Sequence, residues 1–138
     1  MKTKTLLSVS LLALFCSCSG DSVPEAVRSA FRQQFPAAAD TEWEKEDANF
    51  EAEFTMDSKE YSALFDASGQ LLETEYEIPA DSLPAAVHAY ISQNLSGTKI
   101  TEAAHIRDAS GHVSYEAETG DKDLIFDENG TYVKTVAH

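Results

Sequence analysis

The chain has 138 residues, with 24 Asp and Glu against 10 Lys and Arg, a formal net charge of −14 at pH 7. That balance excludes nucleic acid and anionic lipid surfaces as partners and favours cations or basic protein surfaces. At this length there is material for one modest domain, or for two small ones.

The N-terminus reads as an address. Lys2 and Lys4 form a basic start, and Leu6 to Phe15 is an apolar run too short to span a bilayer as a helix. Leu14-Phe15-Cys16-Ser17-Cys18 then resembles a bacterial lipobox, which implies cleavage before Cys18 and acylation of that residue. Residues 1–18 are therefore expected to be a lipoprotein signal peptide. The alternative is an ordinary secretory signal with incidental cysteines. On either reading the protein leaves the cytoplasm, and with acylation it is held at a membrane by its lipid alone. Both cysteines lie in this segment, so the remainder has no disulfide, no thiol nucleophile and no cysteine-based zinc site.

Beyond a short polar tether the chain repeats itself. Ser22-Val23-Pro24-Glu25-Ala26-Val27 returns as Ser82-Leu83-Pro84-Ala85-Ala86-Val87. Phe50-Glu51-Ala52-Glu53 returns as Tyr115-Glu116-Ala117-Glu118, and Phe65-Asp66-Ala67-Ser68-Gly69 as Phe126-Asp127-Glu128-Asn129-Gly130. Three matches in one order indicate a duplicated structural unit, residues 22–78 and 82–137. Each unit opens on a helix, with Ser22 or Ser82 expected as N-cap and a proline in the first turn. Val23, Val27, Ala30, Phe31 and Phe35 keep helical spacing in the first, and Leu83, Val87, Tyr90, Ile91 and Leu95 in the second. Pro36 ends one helix and Ser96-Gly97 the other.

After each helix the period changes to alternation. Phe50-Glu51-Ala52-Glu53-Phe54 is the clearest half-buried strand. Strands are expected at 41–47, 49–56, 59–66 and 70–78, then at 99–108, 112–119, 122–127 and 131–136. Strands this close together connect as antiparallel hairpins. On the fourth strand Leu72, Thr74, Tyr76 and Ile78 are expected to face the helix, with Glu73, Glu75 and Glu77 facing away. The fold class is α+β, a tandem repeat of one helix plus a four-stranded antiparallel sheet.

The Ser-x-Pro-x-Ala-Val opening, the Trp43-Glu44-Lys45-Glu46 strand, the Phe/Tyr-Glu-Ala-Glu strand and the Phe-Asp-x-x-Gly hairpin resemble the PepSY-like family of Bacteroides-type lipoproteins and periplasmic proteins. The resemblance covers residues 22–137. It implies a fold similar to the beta-lactamase-inhibitor protein, a place in the cell envelope and no catalysis. It does not imply beta-lactamase inhibition, because fold does not carry function. Some members of that family are suspected of calcium regulation.

Glutamate alternation supplies the first candidate site. Glu42, Glu44 and Glu46, then Glu51 and Glu53, then Glu73, Glu75 and Glu77 are expected on the face away from the helix. Like charges opposed across strands are destabilising. The face is read as a docking surface for a basic protein or peptide, centred on Glu44, Glu51, Glu53, Glu73 and Glu75, with Trp43 as an aromatic anchor. The competing readings are a solvated outer face for the glutamates and core packing for Trp43. The second candidate is calcium, at the acid face or at Asp66, Ser68 and Glu73. Asp-x-(Ser/Asn)-Gly occurs at Asp66, Asp108 and Asp127, but each motif lacks the central acid of a calcium loop. A hairpin turn, in which Asp bonds the backbone and Gly supplies positive φ, explains the motif with fewer parts. The four histidines show no metal spacing, and no nucleophile elbow or phosphate loop occurs. No catalytic residue is assigned and no cofactor other than calcium is considered; an envelope hydrolase is the weakest reading.

Overall fold

The computed structural model describes residues 22–137. Along the chain it forms α1 (Glu25–Gln34), β1 (Ala39–Glu46), β2 (Asn49–Met56), β3 (Lys59–Phe65) and β4 (Leu71–Glu77). A short 3-10 turn (Ala80–Ser82) leads to α2 (Ala85–Asn94), β5 (Glu102–Asp108), β6 (Val113–Glu118), β7 (Lys122–Asp127) and β8 (Tyr132–Ala137). The class is α+β, with antiparallel strands and two helices. The chain divides into two compact units, one running to Tyr76 and the other from Glu77 onward.

In the first unit β1, β2, β3 and β4 pair in chain order, each antiparallel to the next. The register sets Trp43 opposite Ala52, Ala52 opposite Ala63, and Ala63 opposite Thr74. This row lies on the face that α1 covers. Ala52 and Ala63 have no exposed surface, and their small side chains leave room for the helix. Val27 and Phe31 on α1 fill that room. Phe31 is the hub, with its ring 5.3 Å from Trp43, 5.0 Å from Phe54 and 6.3 Å from Phe65, all edge-on. Such edge-to-face pairs each contribute about 0.5–1.5 kcal/mol beyond the area they bury.

The second unit repeats this element order with β5 to β8. Its helix-side row is Ala103, Ala117, Leu124 and Thr135. Val87 and Ile91 of α2 pack over it, and Tyr90 stacks on Tyr132 at 4.7 Å.

Three local expectations are corrected. Ser22 and Ser82 are not the N-caps: the helices begin at Glu25 and Ala85, with Pro24 and Pro84 in the cap positions and no side-chain cap bond. Proline disfavours helical backbone in the residue before it. Val23 and Leu83 therefore precede the helices and enter the cores, each about 95% buried, with Leu83 extended at φ −63°, ψ 148°. Leu72 is not the inward residue at the start of β4. The register slips between Leu64 and Phe65, so Phe65 pairs Leu71, and Leu71 packs on the core. Ile78 lies beyond β4, packs with the second core, and its N–H donates to Ala103 O at 2.9 Å. Strand ends elsewhere fall within three residues of expectation.

The three Asp-x-(Ser/Asn)-Gly motifs are all hairpin turns. In each, the Gly N–H donates to the Asp carbonyl, at 3.0 Å for Gly69 and Gly111 and 2.9 Å for Gly130. Two of these glycines have a tertiary duty. A Cβ on Gly69 would stand 2.6 Å from Ala26 O on α1, and one on Gly130 would stand 2.9 Å from Ala86 Cβ on α2. Gly111 has open space around it.

Candidate functional site

The face of the first unit opposite α1 carries two rows of side chains that run across all four strands. In one, Glu42 faces Glu53, Glu53 faces Ser62, and Ser62 faces Glu75. In the other, Glu44 faces Glu51, Glu51 faces Leu64, and Leu64 faces Glu73. Two direct Glu–Glu oppositions thus sit side by side on β1 and β2. Both strand lysines of this unit lie on the other face: Lys45 pairs with Phe50, and Lys59 pairs with Met56 and holds its ammonium 5.3 Å from the Tyr76 ring centre. Arg32 is paired with Glu25 on α1 at 2.6 Å, and Arg28 donates to Val23 O. Charge is therefore segregated by face.

The electrostatic consequence is visible in two carboxyl groups. Glu53 is pushed up to about 7, first by burial and then by the charges of Glu51, Glu44, Glu42 and Glu60. Glu46 is also pushed up to about 7, by burial, by the charge of Glu51 and by a hydrogen bond with the Glu51 carboxyl, with smaller contributions from Glu44 and Asp47. Desolvation and like charge act in the same direction here, since both penalise the ionised form. Part of the face is thus protonated near neutral pH.

The expected site residues separate. Glu44, Glu51, Glu53, Glu73 and Glu75 are brought onto one face. Glu51 and Glu75 are buried, while Glu44, Glu53 and Glu73 are half-buried and Glu42 and Glu60 exposed. Trp43 does not belong with them: it lies on the helix face, edge-on to Phe31, as alternation with Glu42 and Glu44 demands. Glu46 and Glu60 were not singled out as binding residues, although alternation along β1 and β3 places them on this face.

Asp66, Ser68 and Glu73 do not form the expected calcium set. The Asp66 carboxylate accepts the Ser68 N–H at 2.8 Å, the Ser68 hydroxyl at 2.6 Å and the Gln70 N–H at 3.0 Å, all through Oδ1. These bonds, the Ser68 hydroxyl first, hold its pKa below the usual carboxylate range. Glu73 is inside β4, opposite Leu64. Among the described residues no group of three or more His, Asp or Glu is arranged to hold a metal ion. Asp108 repeats the Asp66 pattern with Ser110 and His112, and its pKa falls to about 2. Cys18 lies outside the described residues.

In the second unit the same face differs. Its rows are Glu102, Glu118, Asp123 and Val136, then Ala104, Glu116, Ile125 and Lys134. Glu116 and Asp123 are both buried. Asp123 was not singled out in the sequence, although the strand expected at 122–127 contains it.

The family model described as "Putative beta-lactamase-inhibitor-like, PepSY-like" matches twice, over residues 16–72 and 48–134. This chain belongs to the PepSY-like family. Among solved structures, the PepSY-like fold seen here is shared by a DUF2874 family protein from Bacteroides ovatus, at 22% identity and TM-score 0.74, covering 86% of this chain and 89% of that one. A BLIP-like protein from Bacteroides fragilis matches at 24% identity and TM-score 0.64, covering 83% and 86%. A protein from Bacteroides eggerthii described as "putative periplasmic" matches at 17% identity and TM-score 0.75, covering 83% and 88%. At these identities the likeness shows the fold. No curated protein matches this PepSY-like chain. Among the described residues, no helix is long and apolar enough to cross a membrane.

Proposed function

We propose that this protein is a non-catalytic binding module of the cell envelope, tethered through Cys18, whose first unit receives a basic protein or peptide on its acidic sheet face. The observation that carries this reading is the pair of rows Glu42-Glu53-Ser62-Glu75 and Glu44-Glu51-Leu64-Glu73, with Glu46 and Glu53 pushed up to about 7. Opposed carboxylates cost stability, and a cationic partner relieves that cost. The second unit lends support. We infer that the two units are copies of one module, because the family model matches twice and Gly69 and Gly130 press on their helices at matching places. The second copy carries Ala104 and Lys134 where the first carries Glu44 and Glu73. The fold therefore does not require acid at those two positions.

An oligolysine peptide serves as the probe. Calorimetric titration is expected to show binding that weakens with salt and tightens from pH 6 to pH 8, as Glu46 and Glu53 ionise. Glu44→Lys, Glu53→Lys and Glu73→Lys together should abolish it, along with capture of the partner from envelope extracts. Unchanged binding in that variant refutes the face. Calcium is the alternative occupant. Thermal melting against calcium, with magnesium and matched sodium chloride as controls, distinguishes it. A ligand at a hundredfold over its dissociation constant adds about 2.7 kcal/mol. A shift that calcium alone produces replaces the peptide reading with a cation-sensing one.

A further inference from the structure

Charge is sorted by face within each unit, beyond the acid rows of the first. Every strand carboxylate from Glu42 onward lies on the face away from the helix, by its pairing or by alternation with a paired neighbour. The strand cations go the other way. On the helix side of the first unit Lys45 pairs with Phe50 and Lys59 with Met56. On the helix side of the second Arg107 pairs with Val113 and Lys122 with Ala137, and Lys134 is the exception. The helices add no acid surplus. α1 carries Arg28, Arg32 and one acid, Glu25, which Arg32 holds at 2.6 Å, and α2 carries no Asp, Glu, Lys or Arg. Arg32, Lys45 and Lys59 are exposed and Arg28 is half-buried. The helix side of the first unit is therefore net positive, while Asp40, Asp47, Asp57 and Asp66 stand at its two ends.

We propose that the helix side of the first unit is the surface that the anchored protein turns to the lipid bilayer. Arg28, Arg32, Lys45 and Lys59 meet headgroup phosphates there, and the acid face points away from the membrane. The inference rests on the Cys18 anchor of the proposed function. Only residues 19–22 separate Cys18 from Val23, which is packed in the first core with Val27 and Phe31. Five peptide steps reach at most about 18 Å. The eight residues of β2 span about 27 Å, so the tether is shorter than the unit it holds. The bilayer surface thus stays close to the start of α1, and charge selects the side that meets it. The acid face would set Glu42, Glu44, Glu51 and Glu53 against phosphate. The end where α1 begins would set Asp47 and Asp66 there, since Gly69 presses on Ala26 and Phe50 pairs with Phe65. The helix side offers cations in surplus. Screening limits such attraction to about 8 Å at physiological ionic strength, so the near face outweighs the net charge of the whole chain.

Paramagnetic broadening carries the test. The chain from Cys18 onward contains both units entire, and its thiol is coupled to a maleimide phospholipid in place of native acylation. It is held on nanodiscs of phosphatidylethanolamine and phosphatidylglycerol in which some headgroups bear a gadolinium chelate. Amide signals of Ser29, Arg32 and Gln33 are expected to broaden most, and those of Glu53, Ser62 and Glu75 least. Phosphatidylcholine in place of phosphatidylglycerol, or added sodium chloride, should weaken the contrast. Arg32→Glu, Lys45→Glu and Lys59→Glu together should abolish it. The milder set Arg32→Gln, Lys45→Gln and Lys59→Gln should reduce it, with circular dichroism showing both variants folded. Equal broadening on the two sides overturns the proposal, as does stronger broadening at Ser62 or a contrast that survives in both variants. Mass spectrometry of the envelope protein reads the anchor separately. An unacylated Cys18 refutes the tether of the proposed function, whereas the nanodisc result bears on the orientation alone.

Discussion

The two units use one plan and fill it differently. On the helix face each has a row of four residues ending in threonine: Trp43, Ala52, Ala63, Thr74 in the first and Ala103, Ala117, Leu124, Thr135 in the second. The bulky member sits on the first strand in one and on the third strand in the other. Ala52 and Ala117, which stand between them, are both fully buried. The bulk under the helix thus comes from a different strand in each unit. The register slip before the fourth strand falls at the same place, at Leu64/Phe65 and at Ile125/Phe126. On the opposite face Glu42, Glu51 and Glu53 return as Glu102, Glu116 and Glu118, but other positions change. Glu44 and Glu73 have Ala104 and Lys134 as counterparts. The helix side is constrained by packing; on the outer side the two changed glutamates, Glu44 and Glu73, are half-buried.

The largest effect should come from breaking the compensated row. Trp43→Ala removes the bulk next to Phe31 and is expected to cost about 3–5 kcal/mol. Ala63→Leu overpacks the same row, at about 1–3 kcal/mol. The double variant carries the second unit's arrangement into the first and should recover part of the loss, so that urea denaturation shows clear non-additivity. Strict additivity would mean that the two rows do not trade volume.

Next come the turn glycines. Placing an L residue in left-handed backbone costs about 1–2 kcal/mol by itself, and Gly111→Ala should show that alone. Gly69→Ala adds a collision with the Ala26 carbonyl and should be the most destabilising of the three, with Gly130→Ala between them, because it meets a side-chain methyl at a slightly longer distance. Melting temperatures in the reverse order would remove the argument that these turns clamp the helices.

Transplanting the outer row tests the other face. Glu44→Ala with Glu73→Lys should raise stability by about 1 kcal/mol, through loss of opposed charge, while weakening capture of oligolysine. A variant that gains stability and keeps full binding would place the partner elsewhere.

The smallest effect is a pH dependence. Glu46 and Glu53 have native pKa values raised from 4.5 to about 7, so the folded state holds more protons than the unfolded state between those values. Stability should therefore be fullest below pH 4.5 with respect to these groups and fall as pH rises through 7. Glu46→Gln and Glu53→Gln should flatten the slope of melting temperature between pH 5 and pH 8. An unchanged slope would show that the two carboxyl groups titrate normally.

Much of this could be read from residue order. The position of β2 follows from the alternation at Phe50 to Phe54, and the three Asp-x-(Ser/Asn)-Gly turns follow from Asx chemistry and glycine, all of which act within a few residues. The acid face was legible for the same reason, because a period of two places Glu42, Glu44 and Glu46 together wherever β1 lies. The same period should have kept Trp43 off that face. Leu72 was misplaced because a one-residue slip between strands leaves no mark on either strand alone. Asp66, Ser68 and Glu73 looked like a ligand set because spacing along a chain is not distance. Inside the hairpin the Asp66 carboxylate is taken up by its own turn, and Glu73 joins a different row.

By itself, then, the sequence determined what short-range physics controls: two helices, eight strands, the turns between them and a strongly acidic net charge. Tertiary structure alone decided which residues face each other. Only pairing set Glu42 against Glu53 and Glu44 against Glu51, raised two carboxyl groups toward neutrality, and pressed Gly69 and Gly130 on their helices. Register depends on hydrogen bonds between segments far apart in the chain, and a slip of one residue moves every side chain to the other face.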